Sequence, residues 1–174
     1  IPNVVFGCPK NRIIPDSLSR SEAIGLAAEV FTRIGDLAKE AGTAVSLEPN
    51  PQIYGTNFLN TFKETHKFIE TVDHPAITMM LDTGGLSAAN ELEDVLGSDC
   101  QLLGKLNHVH ISEPYLFPAP KSSYEFEKVL EVLQDNDYSK AISIEMKRTS
   151  KSLEDLELSV QKIYSAVQRN KYAP

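Results

Sequence analysis

Residues 44–50 read AVSLEPN. Val45 and Leu47 lie two apart, so in an extended chain they share one face while Ser46 and Glu48 share the other. The aliphatic face suits a cover of helices. The opposite face ends on a carboxylate, and Pro49 stops the strand at once. The same grammar recurs three times. In ITMMLD (77–82), Leu81 points one way and Met80 and Asp82 the other. In NHVHIS (107–112), Val109 and Ile111 oppose His108 and His110. In AISIEM (141–146), Ile142 and Ile144 oppose Ser143 and Glu145. A short apolar strand, VVFG (4–7), precedes them all.

Helical patterns fill the intervals. Ser19 and Glu22 have capping-box spacing. An apolar stripe of Ile24, Ala27, Phe31, Ile34 and Ala38 follows and ends at Gly42. The second helix spans about 60–72, with Phe62, Phe68, Ile69 and Val72 inward. A less regular stretch covers 88–104, broken at Gly97. The fourth spans 123–135, with Phe126, Val129, Leu130 and Leu133 inward, and the last runs from about Ser152 to Asn170, with Leu153, Leu156, Val160, Ile163 and Val167 inward.

Five strands, each followed by a helix, imply parallel pairing through right-handed crossovers. The fold class is α/β, of the parallel (β/α)8 barrel type, with about five βα units present. Residues 1–174 read as a single domain with no internal linker. There is no GxGxxG and no P-loop, so a nucleotide-binding doubly wound sheet has no direct support. In a parallel barrel the interior strand face ends at the C-terminal mouth, where chemistry sits. Glu48, Asp82, His110 and Glu145 therefore converge there. A lone strand-end Glu is ordinarily a cap or a surface ion pair, and a lone His a satisfied core residue. Four in register are different, because three carboxylates cannot be buried and ionised together without a cation. Three carboxylate oxygens and one imidazole suit one divalent ion: Mn²⁺, Mg²⁺ or Co²⁺, with Zn²⁺ a further option.

Composition narrows the partners. The formal net charge is −7 and the only basic clusters, MKRTSK at 146–151 and QRNK near the tail, read as solvated surface, so nucleic acid is not expected. No run of about 18 apolar residues exists, so no membrane span is expected. Cys8 and Cys100 lie far apart and neither belongs to a CxxC pair. A reducing, cytoplasmic location is the expected one.

The pieces SLEPN (46–50), LDTGG (81–85), HVHISEP (108–114) and SIEM (143–146) resemble the xylose isomerase-like barrel superfamily, in particular its sugar phosphate isomerase/epimerase group. The resemblance covers nearly the whole chain and corresponds to strands 4–8 of the eight-stranded barrel. It implies that Glu48, Asp82, His110 and Glu145 bind one divalent metal, which chelates a hydroxy-ketone or hydroxy-aldehyde. It also implies that Glu48 and Glu145 act as the acid/base pair, one removing a proton beside the carbonyl and the other returning it through an enediolate. Two departures stand out. Ketose 3-epimerases of the group carry a His three residues after the metal Asp, where this chain has Gly85, and an Arg six residues after the ligand His, where it has Leu116. The endonuclease branch needs more metal histidines than four in all allow. Hydroxypyruvate isomerase and inosose dehydratase branches stay open.

Position nominates further residues. Asn50 and Tyr54 follow Glu48 and could line the pocket, although Tyr54 could equally pack its loop. His108 lies two residues below His110 on the same face, and Glu113 and Tyr115 sit at the mouth; a core histidine and a surface glutamate are the bland alternatives. Cys8 could face the mouth or be core. His66 and His74 read as surface. The expected function is a metal-dependent isomerase/epimerase of a sugar or sugar phosphate. The alternatives are a metal-dependent dehydratase on a cyclic polyol and a non-catalytic binding or scaffold half-barrel. Five strands do not close a barrel, so the chain is expected to belong to a longer parent with three βα units before Ile1; the alternatives are that it covers its open edge as a homodimer or with a separate N-terminal half, or is an open five-stranded domain in its own right.

Overall fold

The computed structural model describes residues 1–97 and 103–171. Its centre is one parallel sheet in sequential order: β1 (Val4–Phe6), β2 (Val45–Leu47), β3 (Ile77–Asp82), β4 (Leu106–Ile111) and β5 (Ile142–Ile144). Sequential parallel order with helical crossovers is a half-barrel, as the βα alternation predicts. Helix α1 (Arg20–Glu40) follows β1, α2 (Phe62–Val72) follows β2, α3 (Thr83–Ala88) and α4 (Leu92–Leu96) follow β3, α5 (Ser123–Asp135) follows β4, and α6 (Ser152–Lys171) follows β5.

The core lies between the sheet's aliphatic face and the helices. Leu47, Met79, Leu81, Val109 and Ile111 meet Phe31, Phe62, Phe68, Ile69, Phe126 and Val129 there. Phe31 anchors it, with edge-to-face rings on Phe6 at 5.3 Å and Phe68 at 5.6 Å. The predicted capping box forms: the Glu22 amide donates to Ser19 Oγ, and the Ser19 amide to Glu22 Oε2.

Three expectations need correction, and the question left open at Cys8 is answered. The single helical stretch at 88–104 is instead α3, starting directly at Thr83, and a separate α4; Asp82 itself caps α3 by accepting from the Gly85 amide, which is why two glycines still begin a helix. The end of that stretch, with Cys100, lies outside the described residues. In α6, Leu153, Leu156 and Val160 are exposed, whereas Ser159 and Ala166 are buried. Of the three, Val160 lines a groove with Ile142 and Ile144 of β5, the edge strand. His66 and His74 are not surface residues: their side chains are 13% and 10% exposed, and His74 fills the space that the missing Cβ of Gly35 leaves in α1. Cys8 is an exposed free thiol rather than core.

One irregularity sets up the site. Between Met79 and Met80 the β3–β4 register shifts, so Met79 pairs with Leu106 but Met80 with His108. Asn107 is the extra residue, a bulge on β4. It brings His108 and His110 into phase with Met80 and Asp82, and Asp82 then faces His110 directly.

Candidate metal centre

Glu48 and Glu145 stand one residue beyond β2 and β5, Asp82 ends β3, and His110 is the next-to-last residue of β4. One ligand atom from each lies within 4.8 Å of all the others. The interior-face alternation read from the sequence thus delivers four donors to one point.

Each donor is held differently. Asp82 Oδ1 accepts from Ser112 Oγ and from the Gly85 amide, both at 2.6 Å. Its Oδ2 is left toward His110 Nδ1, 3.8 Å away. His110 Nδ1 also lies 3.0 Å from Glu145 Oε2. The Glu48 carboxylate has no hydrogen bond among the described residues. Its main chain is clamped instead: the buried Arg12 guanidinium donates to the carbonyls of Glu48 and Phe6, and sits 4.8 Å from the Phe6 ring. Burial pushes Arg12 down to about 10 even with Glu48 nearby to hold it charged. On the other side Gly7 abuts the Glu48 carboxylate so closely that no Cβ fits between them.

The charges are unbalanced. Burial, with Asp82 and Glu145 adding their repulsion, pushes Glu48 up to about 8. Burial works against a charged His110, but Asp82, Glu145 and Glu48 overcome it and push it up to about 9. Burial also opposes ionised Asp82, yet the neighbouring His110 and the hydrogen bonds from Gly85 and Ser112 bring it below the usual range. Such a cluster holds protons where a divalent cation would relieve the repulsion, and its hard, mixed donor set fits such an ion.

A cavity of about 470 Å³ opens beside the cluster. Asn50, Tyr54, Glu113 and Tyr115 line it, as do Glu48, Asp82 and Glu145. Asn50 is buried and its Oδ1 lacks a protein partner. Tyr54 does both of the things considered for it: it lines the cavity and packs edge-to-face on Tyr115 at 6.1 Å. Glu113 accepts from the Lys121 amide at 2.5 Å, and burial raises its carboxyl. His108 stands apart from the lining. Its Nε2 lies 2.7 Å from Ser143 Oγ, its ring is edge-on to His110, and burial lowers it. Below it the inner sheet face is a polar floor, in which Asn3 Oδ1 takes bonds from Ser46 Oγ (2.6 Å) and Asn107 Nδ2 (2.7 Å).

Sequence reading passed over Gly7, Arg12 and Ser112, and read Lys147, within MKRTSK, as solvated surface; it is exposed but also lines the cavity. Ser112 carried a signal: it is two residues past His110, so alternation places it on the interior face. Ser112 also joins β3 to β4, since Thr83 Oγ1 donates to its carbonyl and accepts from its amide.

No curated protein matches the sequence. Solved structures do share the fold. The 3-keto-D-glucoside 4-epimerase YcjR from E. coli superimposes with a TM-score of 0.71 at 18% identity, over 87% of this chain and 57% of that one. An L-ribulose 3-epimerase gives 0.70 at 20%, over 94% and 63%. The IolI protein, solved with a zinc atom, gives 0.64 at 18%, over 97% and 64%. This chain therefore spans less than two thirds of the length of each. The family model described as the xylose isomerase-like TIM barrel matches residues 2–165, and the chain belongs to that family.

Proposed function

We propose that the chain carries the site of a divalent-metal-dependent isomerase or epimerase acting on a sugar or sugar phosphate. The observation that carries this reading is the convergence of Glu48, Asp82, His110 and Glu145 within 4.8 Å. The sugar epimerases among the structural neighbours support the substrate class.

Glu48, Asp82, His110 and Glu145 are the metal ligands, with Mn²⁺, Mg²⁺ or Co²⁺ preferred over Zn²⁺ by the donor set. When bound, the ion supplies Lewis acidity to the substrate's carbonyl and hydroxyl oxygens. The rest falls to the protein. Asp82 is a fixed ligand, because Oδ1 already holds two hydrogen bonds. Glu48 and Glu145 are the acid/base pair: one takes the proton from the carbon beside the carbonyl, leaving an enediolate, and the other, as a carboxylic acid, returns a proton to carbon. The Glu48 carboxylate is suited to this because, among the described residues, no hydrogen bond occupies either oxygen. Asn50, Tyr54, Glu113 and Tyr115 shape the pocket.

The test is solvent deuterium exchange. The purified chain is loaded with Mn²⁺ and incubated in D₂O with a panel of ketoses and ketose phosphates. Deuterium on carbon, about one metal per chain by plasma mass spectrometry, and loss of both in Glu48→Gln/Asp82→Asn support the reading. Metal uptake without exchange sinks the catalytic part and leaves a binding half-barrel. A product lighter by one water marks a dehydratase instead.

A further inference from the structure

The cavity is lined by two chemically distinct sets of residues. One is polar and includes the carboxylates Glu48, Asp82 and Glu145. The other is apolar or aromatic: Pro9, Pro49, Tyr54, Tyr115 and Leu116. Tyr115 and Leu116 are 59% and 37% exposed, a large apolar surface to leave beside a polar site. Both hold left-handed backbone, with φ of 60° and 57°, which side-chain-bearing residues adopt only at an energetic cost. The surroundings enforce that conformation. The Leu116 amide donates to the Glu113 carbonyl (2.8 Å), the Lys147 amide to the Leu116 carbonyl (2.9 Å), and the Tyr115 amide to the Tyr54 hydroxyl (3.3 Å). Strain maintained at the mouth of a site points to a use for the side chains it presents.

We infer that Tyr54, Tyr115 and Leu116 form a specificity wall for an apolar or aromatic substituent on the sugar. The substrate class is then an O-substituted sugar rather than a free or phosphorylated one. This inference rests on the isomerase/epimerase reading and names its substrate more narrowly. A phosphate there would need a cation, and among the described residues the one basic side chain lining the cavity, Lys147, has its ammonium over the Phe117 ring at 4.3 Å. Aromatic faces meeting a sugar's C–H face or an aryl group gain from burial without needing charge. The cavity, about 470 Å³, lies within the range of roughly 300–1,000 Å³ that holds ligands larger than a solvent molecule.

The experiment compares three ends on one ketose: D-fructose, D-fructose 6-phosphate and 6-O-benzyl-D-fructose. Each is titrated calorimetrically into the Mg²⁺-loaded chain. The benzyl ether is expected to bind at least tenfold more tightly than D-fructose. In Tyr115→Gly/Leu116→Asn, whose residues accept the left-handed backbone and so keep the loop's course, the advantage falls to within twofold, with metal uptake as the folding control. If the phosphate binds best, or the ether and D-fructose bind alike, the wall is refuted and the isomerase reading stands. If none of the three binds a chain that carries its metal, both fall.

Discussion

A Cβ placed on Gly7 would lie 1.6 Å from Oε2 of Glu48. The atom it would strike is the far end of a flexible side chain, not backbone. Gly7→Ala should therefore leave the fold intact and expel the carboxylate from its place. Metal affinity is expected to fall roughly tenfold or more, the loss typical when a ligand's support is disturbed. Circular dichroism checks the fold and calorimetry the affinity; an alanine variant that binds metal as the parent does would show that Glu48 has another position open to it.

Glu48 near 8 and His110 near 9 bind protons more tightly in the folded, metal-free chain than at their ordinary values of 4.5 and 6.5. The stability each contributes is complete below those ordinary values and is lost as pH rises through 8 and then 9. The chain in EDTA should melt at lower temperature at pH 9 than at pH 6. A bound divalent ion displaces both protons, so its affinity should rise by up to about a hundredfold per pH unit below 8 and about tenfold per unit from 8 to 9. Melting curves in EDTA and in Mn²⁺ should diverge as pH rises; parallel curves would mean that these two groups do not meet the ion.

Ser112 Oγ donates to Asp82 Oδ1 and accepts from the Gly84 amide. Ser112→Ala leaves a buried donor unpaired and frees one lone pair of the ligand. A stability loss of about 1–3 kcal/mol is expected, with metal affinity lower by about tenfold. Asp82→Asn keeps the shape and should cost more in affinity than in stability. Equal affinity in Ser112→Ala and the parent would show that the helix cap alone orients Asp82.

The sheet's two edges predict association. No described strand pairs with the outer side of β1 or β5. Beside β1, Leu26 and Val30 of α1 are exposed over a groove of about 350 Å³; beside β5, Val160 borders another of about 370 Å³. Unpaired backbone next to apolar surface favours a partner. Sedimentation should show concentration-dependent self-association, reduced by Leu26→Glu/Val30→Glu or by Leu156→Glu/Val160→Glu. A monomer at all concentrations would contradict it.

How much of this was legible in the sequence follows from how local each signal is. Period-two alternation is local, and it was enough to put Glu48, Asp82, His110 and Glu145 at one end of the sheet. The burial of α1, α2 and α5 was equally plain, because each packs one stripe on one face. The stripe of α6 misled: Leu153, Leu156 and Val160 keep helical spacing, yet all three are exposed. Helix α3 was hidden because TGGLSA is a poor helix former; it exists because Asp82 caps it, a tertiary consequence of where the strand stops. Arg12 was illegible for a different reason. Nothing in NRIIP announces that a loop cation will be buried, since its partners are main-chain carbonyls 6 and 36 residues away.

Arg12 also reinforces a seam that the β1–β2 ladder already closes. Its guanidinium spans Phe6, on the outermost strand, and the peptide of Glu48, whose amide donates to the Phe6 carbonyl at 3.2 Å. The rim of the sheet and the carboxylate of the site thus form one mechanical linkage, held by the ladder and by Arg12. A molecule that docks on the rim and shifts β1 shifts the Glu48 peptide with it. By reciprocity, an ion that fixes Glu48 also sets how well the rim accepts its neighbour. Closure of the sheet and filling of the site are then two readings of one equilibrium, and each can be used to measure the other.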